Sequence, residues 1–252
     1  MISKNQIKFI RSLELKKNRK KEGLFVAEGP KVVGDLLHGG FKARAIYHVE
    51  GSRWETDGCD IQTITDDELH KISFMQHPQE VLAVIEMPAV TQHPSPFTPA
   101  LALALDGVQD PGNLGTIIRI ADWFGINTIY CSLDTADVYN PKVVQATMGS
   151  LAHVHIIYID LLQLFDRLPA DYPVYGTLLD GDDIYQQPLS REGIIVMGNE
   201  GKGISLAVRQ HITHKLLIPN FHTGHETAES LNVAIATAIT CSEFRRRDHR
   251  DF

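Results

Sequence analysis

Three polar, glycine-bearing turns, each directly after a short apolar run, constrain this 252-residue chain more than any other feature. The first, DGVQDPGNLGTIIR (106–119), follows LALAL. The second, GNEGKGIS (198–205), follows GIIVM, and the third, IPNFHTGHETAESLN (218–232), follows KLL. An apolar run that ends in a turn and feeds a helix places backbone N–H groups and short polar side chains at the carboxyl edge of a parallel sheet. Ligands bind at that edge in open α/β folds. Between them the turns carry Asn113, Arg119, Glu200, Ser230 and Asn232, which predicts one composite site.

The rest of the chain divides around MPAVTQHPSPFTPA (87–100), whose four prolines lack N–H groups for helix or sheet and favour an extended linker. The predicted division is a first domain over 1–88, a linker over 89–99 and a second domain over 100–252. In the first, the pattern gives strands at 24–28, 44–49, 61–65 and 80–87 and helices at 30–40 and 66–75, led by a basic helical arm. In the second, apolar runs at 101–105, 127–131, 154–159, 173–179, 193–197 and 215–218 read as buried parallel strands. Helices fall at 113–124, 140–149, 160–168 and 204–211. A last helix, 229–246, is apolar almost all round and therefore packs on more than one face.

The net charge is −7, but it is unevenly spread. Residues 1–31 hold nine Lys/Arg and three acids, leaving 15 basic and 28 acidic residues for the remainder. A basic end on an acidic protein suits a polyanion; a solvated helix face accounts for it equally well. No apolar run reaches the length of a membrane span, and the N-terminus lacks the apolar core of a signal peptide. Cys59, Cys131 and Cys241 fit neither a disulfide framework nor a CxxC metal site, which points to the reducing cytoplasm.

Each turn also has a plain structural reading. Asn113 can cap the helix after Pro111–Gly112, and Arg119, six residues on, lies about 120° round from it. GNEGKGIS lacks the Ser or Thr that a Walker A loop carries after its Lys, and no GxGxxG follows the first strand of this half. Its glycines still admit close backbone approach, and Glu200 can accept from hydroxyls while repelling phosphate. His222, His225 and Glu226 do not have the spacing of a zinc motif and read as loop. Ser230 and Asn232 open the last helix, with Ser a favoured N-cap.

Taken together, these segments resemble the SpoU/TrmH family of RNA 2′-O-methyltransferases, within the SPOUT class. NLGTIIRIADWFG, IVMGNEGKGIS and IP…ESLNVAIATAI match the family's three ordered motifs, and ATMGSLAHVHI matches a segment between the first and second. The stretch IRSLELKKNRKKEGLFVAEGPKVVGDLL is similar to the small ribosomal-protein-like RNA-binding domain that often precedes the catalytic one. The resemblance implies a parallel α/β sheet with a deep trefoil knot, against the usual rule that chains do not thread loops. It implies a homodimer and S-adenosyl-L-methionine as methyl donor, lined by backbone around Leu178, Gly198, Ile218 and Leu231. It implies catalytic roles for Arg119, Asn113, Glu200, Ser230 and Asn232. The substrate would be RNA, ribosomal by analogy of the accessory domain with transfer RNA as the alternative, gripped by Lys16, Lys17, Arg19, Lys20 and Lys21. DNA is excluded by its missing 2′-hydroxyl. One departure is NFHTGHETAE between Pro219 and Ser230, where family members carry a shorter connection. Two rival readings stand beside this one: an RNA-binding protein that keeps the fold without turnover, and an unrelated nucleotide-binding α/β enzyme.

Overall fold

The computed structural model describes residues 1–55, 58–88, 100–222 and 229–246. The proline-rich linker over 89–99, together with His225 and Glu226, lies outside the described residues. The helices in chain order are α1 (Lys4–Ser12), α2 (Lys16–Glu22), α3 (Pro30–His38), α4 (Asp66–Ile72), α5 (Pro111–Trp123), α6 (Pro141–Ala146), α7 (Leu161–Phe165), α8 (Leu206–Arg209) and α9 (Val233–Arg246). The first four strands are β1 (Leu24–Glu28), β2 (Ala43–Val49), β3 (Asp60–Ile64) and β4 (Val81–Glu86). The other six are β5 (Leu101–Asp106), β6 (Thr128–Cys131), β7 (His155–Tyr158), β8 (Val174–Asp183), β9 (Gly193–Gly198) and β10 (His214–Leu217). They form two compact units: Met1–Thr91 with Asp137–His153, and Gln92–Ala136 with Val154–Phe252.

The first unit is built on a sheet of order β1-β4-β2-β3, antiparallel except for the β2–β3 pair. Its helices start where the sequence supplies caps. Ser3 and Gln6 form a capping box for α1, and Thr65 and Glu68 form one for α4. Gly23, at φ 66°, ends α2 in the left-handed conformation that glycine adopts without penalty. The predicted helix over 66–75 stops at Ile72 because Ser73 turns extended and its hydroxyl donates to the buried Glu28 carboxylate. Burial holds that carboxyl above its ordinary pKa, opposed by the bonds from Ser73 and from Phe74 N. The core gathers Ile10, Leu13, Leu24, Val26, Tyr47, Ile72 and Leu82.

Asp137–His153 joins this unit although it connects β6 to β7. α6 packs on β1, and the 3₁₀ turn Ser150–Ala152 packs on α3. Gly149, in the ATMGSLAHVHI segment, has φ 97°, and a Cβ there would lie 2.1 Å from Asp35 Oδ2. Gly149→Ala is therefore expected to lower the unfolding free energy by about 1–3 kcal/mol, read as a fall in the urea midpoint.

Arg19 corrects an expectation. Instead of joining the RNA-facing cations, it is 1% exposed. Its Nη1 donates to Leu13 O at 2.8 Å and Glu14 O at 2.6 Å, and its Nη2 pairs with Asp137 Oδ2. Helical phase is the reason. At 100° per residue, Lys16, Lys17, Lys20 and Lys21 share an arc of about 140° and Arg19 falls outside it. Those four lysines are exposed. Arg19→Ala strands the Asp137 carboxylate and two carbonyls, and is expected to cost about 3 kcal/mol in chemical denaturation. A loss under 1 kcal/mol would show the pair to be dispensable.

The second unit is a six-stranded, wholly parallel sheet of order β10-β8-β9-β5-β6-β7, as the unbroken apolar runs predicted. Leu101–Leu105 and Gly193–Met197 are buried throughout. Burying each Leu, Ile or Val contributes about 1.5–3 kcal/mol, so β5 and β9 anchor the sheet. From β5 the chain steps outward to β6 and β7. It then returns to the opposite flank, where β9 pairs with β5. In open α/β sheets, ligands bind where strand order reverses in this way, here at the carboxyl ends of β5 and β9. β8 exceeds the predicted 173–179. Lys215 pairs with Gly176 and Leu216 with Asp182, so Thr177–Gly181 loops out of the ladder. Gly181 permits it, since a Cβ there would lie 2.6 Å from the backbone of Leu216. No helix among the described residues is long and apolar enough to cross a membrane.

Candidate active site

The carboxyl edge of β5 and β9 is tied together by short polar side chains. Asp106 Oδ2, at the end of β5, accepts from Ser205 N at 2.6 Å. Gly107 N donates to Ser132 Oγ at 2.8 Å, and Gly107 O accepts from Asn199 Nδ2 at 2.6 Å. The turn after β9 is self-contained. Asn199 and Gly203 exchange both backbone bonds, and Asn199 Oδ1 accepts from Gly201 N and Lys202 N, each at 3.0 Å. The turn thereby presents Glu200 toward the start of α5.

Two caps differ from the sequence expectation. Asp110, not Asn113, is the N-cap of α5: its carboxylate accepts from Asn113 N at 2.8 Å, with Pro111 at the first helical position. The Asn113 side chain is thus released for longer-range contacts. At α9, Asn232 caps rather than Ser230, accepting from Ala234 N at 2.9 Å and Ile235 N at 3.3 Å. Ser230 lies exposed in the bend before it.

The released groups bond one another. Asn113 Nδ2 donates to Glu200 Oε1 at 3.0 Å, and Asn232 Nδ2 donates to Asn113 Oδ1 at 3.0 Å. Glu200 also accepts from Asp110 N at 3.3 Å and Gln109 N at 3.4 Å. One chain of hydrogen bonds, Glu200–Asn113–Asn232, therefore joins all three turns across sequence separations of 87 and 119. Charge-assisted and amide bonds of this kind fix side-chain orientation, which suits a site that must hold a hydroxyl-bearing substrate.

Arg119 stands apart. It is exposed on α5, and among the described residues none bonds or pairs with its guanidinium. The apolar residues of the expected donor pocket differ in burial, and Leu178 packs against the core of the second unit. Leu178 in the β8 loop-out and Ile218 after β10 are half-buried, and Leu231 is 49% exposed. Gly198 is a point of close approach, since a Cβ would lie 2.3 Å from Gly203 C and from Ile204 N. In chemical type, a glycine-bearing turn, the half-buried Leu178 and Ile218 and a carboxylate that accepts hydrogen bonds fit an adenosyl group carrying a cationic sulfonium.

Other chemistry finds little support among the described residues. No cluster of His, Cys, Asp or Glu there is arranged to hold a metal ion. Cys131 and Cys241 are buried, and burial pushes both thiols up, Cys241 to about 12, so neither is a thiolate nucleophile. Sequence reasoning missed Asp110, Asn199 and Ser132. Asp110–Pro111 carries the legible signature of a capped helix start. Ser132 carries none, since only the β5–β6 pairing brings it to Gly107.

The profile of the SpoU rRNA Methylase family matches residues 100–242, and that of the MRM3-like substrate binding domain matches residues 4–83. The 23S rRNA (guanosine(2553)-2′-O)-methyltransferase RlmP of Bacillus subtilis is 33% identical over 249 residues, covering 96% of this chain and 97% of its own. A TrmH-family structure from Porphyromonas gingivalis is 44% identical, with a TM-score of 0.84, and the match covers 98% of this chain and 99% of that one. An AdoMet-bound rRNA methyltransferase from Sinorhizobium meliloti is 30% identical, with a TM-score of 0.84, and covers 98% and 97%. With a family profile spanning more than half its length and a full-length relative, this chain belongs to the SpoU family of RNA methylases.

Proposed function

We propose that this protein transfers a methyl group from S-adenosyl-L-methionine to a ribose 2′-oxygen of structured RNA, with ribosomal RNA as the substrate. The observation that carries the reading is the Glu200–Asn113–Asn232 chain of bonds, which draws three sequence-distant turns into one polar edge. The donor supplies an electrophilic methyl on a sulfonium. The backbone at Gly198 and the apolar surfaces of Leu178, Ile218 and Leu231 would hold it.

The chain's own residues have three tasks. Asn113, Glu200 and Asn232 orient the ribose, with Glu200 accepting from a hydroxyl, and Ser230 adds a hydroxyl at the mouth. As the O–CH3 bond forms and the S–CH3 bond breaks, the donor would leave as its neutral thioether and the hydroxyl proton pass to solvent, while Arg119 stabilises the oxyanion that grows on the 2′-oxygen and holds a neighbouring phosphate. A guanidinium is a fork of N–H donors with no acceptor, so it acts by charge and hydrogen bonding and not as a base. Because Arg119 lies outside its own network, we place it at the site of a second copy. α5 and α9 pack together and leave Trp123 84% and Ile235 53% exposed, which suits an isologous dimer.

We further propose a deep trefoil knot in the second unit, and a division of labour between residues 1–88, a linker over 89–99 and residues 100–252. The first part grips folded RNA through phosphates by Lys16, Lys17, Lys20 and Lys21, giving salt-sensitive binding. DNA lacks the acceptor hydroxyl and is no substrate. The cysteines are all free, in keeping with a cytoplasmic location. The test is a map of 2′-O-methyl positions in total RNA from a deletion strain. One ribosomal site is expected to lose its methyl group and to regain it with purified protein and S-adenosylmethionine. An unchanged map, with no donor binding by calorimetry at millimolar concentration, would reject the reading in favour of an RNA-binding protein without turnover. A lost transfer RNA position would move the substrate.

A further inference from the structure

The first unit contains a cleft of about 520 Å³ that the proposed chemistry does not use. Its apolar walls are Val26 of β1, Phe74 after α4, and Pro141 and Ala146 of α6. Glu28 lines it too, but its carboxylate is committed, accepting from Ser73 Oγ and from Phe74 N at 2.8 Å. Gln76, Gln79, Gln145 and Lys142 also line the cleft. Among the described residues, none bonds or pairs with the ends of these four side chains.

Two further observations bear on the ligand. The α4–β4 connection that supplies Gln76 and Gln79 ends at Glu80, a non-glycine residue at φ 51°. A non-glycine residue rarely adopts this conformation, which persists where the surroundings over-determine it. It is pinned by Val49 N donating to Glu80 O at 2.9 Å. On the other side, the Arg11 guanidinium lies 4.5 Å over the Phe74 ring, so basic helix α1 shares a wall with the cleft.

Apolar surfaces with three unpaired amides, each both donor and acceptor, match a nucleobase, which has a flat apolar face and a polar edge of donors and acceptors. Sequence-specific proteins read unstacked RNA bases in this way. A phosphate alone would be poorly served, because Lys142 is the one Lys or Arg lining the cleft. We propose that this cleft takes one unstacked base of the substrate RNA, its edge read by Gln76, Gln79 and Gln145 and its phosphate met by Lys142. The proposal rests on the reading of the first unit as the RNA-gripping part.

The test uses the full-length protein with labelled methyl groups, titrated with each nucleoside 5′-monophosphate in turn. One or two of the four are expected to shift the Val26 and Ala146 methyl signals, saturating at millimolar concentration, while ribose 5-phosphate and inorganic phosphate leave them unmoved. Gln145→Ala and Gln79→Ala are each expected to weaken binding of the methylated RNA domain about tenfold. Ala146→Trp, which fills the cleft, should abolish the nucleotide shifts, with S-adenosylmethionine affinity as the folding control. No shift with any nucleotide, or RNA binding at wild-type strength by Gln145→Ala and Gln79→Ala, overturns the proposal. Changing Lys16, Lys17, Lys20 and Lys21 together to Glu separates the two readings. If that variant alone loses RNA, the grip stands and the base site falls; if no variant loses RNA, both fall.

Discussion

Arg119→Ala is expected to slow single-turnover methyl transfer about 10²- to 10³-fold while leaving S-adenosylmethionine affinity at its wild-type value. The magnitude is that of removing one preorganised donor from a developing oxyanion. Arg119→Lys keeps the charge but loses the fork, and should recover part of the rate. The structure adds a sharper form of the test. Arg119 is exposed on α5 and bonds to none of the described residues, whereas Asn113, six residues earlier on the same helix, is bonded twice. If the arginine serves a second copy, an Arg119→Ala chain mixed with a chain defective at Gly198 makes heterodimers with one intact composite site. An equal mixture of two dead variants should then recover about a quarter of the wild-type activity, since half the dimers are mixed and each has one good site of two. No recovery, with both proteins folded and exchanging subunits, would place the arginine in its own chain's site. Wild-type rates in both the Ala and Lys variants would remove it from the chemistry.

What could be read from the sequence depended on the range of the interaction. Strand and helix order followed from apolar period and from turn residues, both local signals. The parallel sheet followed from unbroken runs such as LALAL and GIIVM. The convergence of three turns was legible as a prediction because each followed a strand. Which atoms meet was not. Asn113 has the local chemistry of a cap, and only the position of Asp110 three residues earlier leaves its side chain free for Glu200 and Asn232. Arg19 leaves the basic run for a different reason: helical phase separates it from the four exposed lysines, and its partner Asp137, 118 residues on, gives no local signal. The alternation of strand and helix likewise gave α6 its place between β6 and β7 but not the unit it packs with.

Gly198→Ala is expected to weaken S-adenosylmethionine binding about 100-fold, through displacement of the turn it supports. A methyl group on Gly198 would lie 2.3 Å from Gly203 C and Ile204 N and 2.7 Å from Gly203 O. All three are backbone atoms, so no side-chain rotation relieves the clash. The turn must move by about an ångström to restore van der Waals contact. Two sets of bonds depend on its position: Glu200 with Gln109, Asp110 and Asn113, and Ser205 N with Asp106. A shift of that size takes each bond of 3.0–3.4 Å out of range. Stability should fall as well, by about 1–3 kcal/mol, as overpacking does elsewhere. Gly201→Ala, three residues on in the same turn, is the control. A Cβ there meets only Asn199 Oδ1 at 3.8 Å, so donor binding should stay within a few-fold of wild type. Equal affinity in the Gly198 and Gly201 variants, measured by calorimetry on folded protein, would mean that the turn after β9 does not form the donor site.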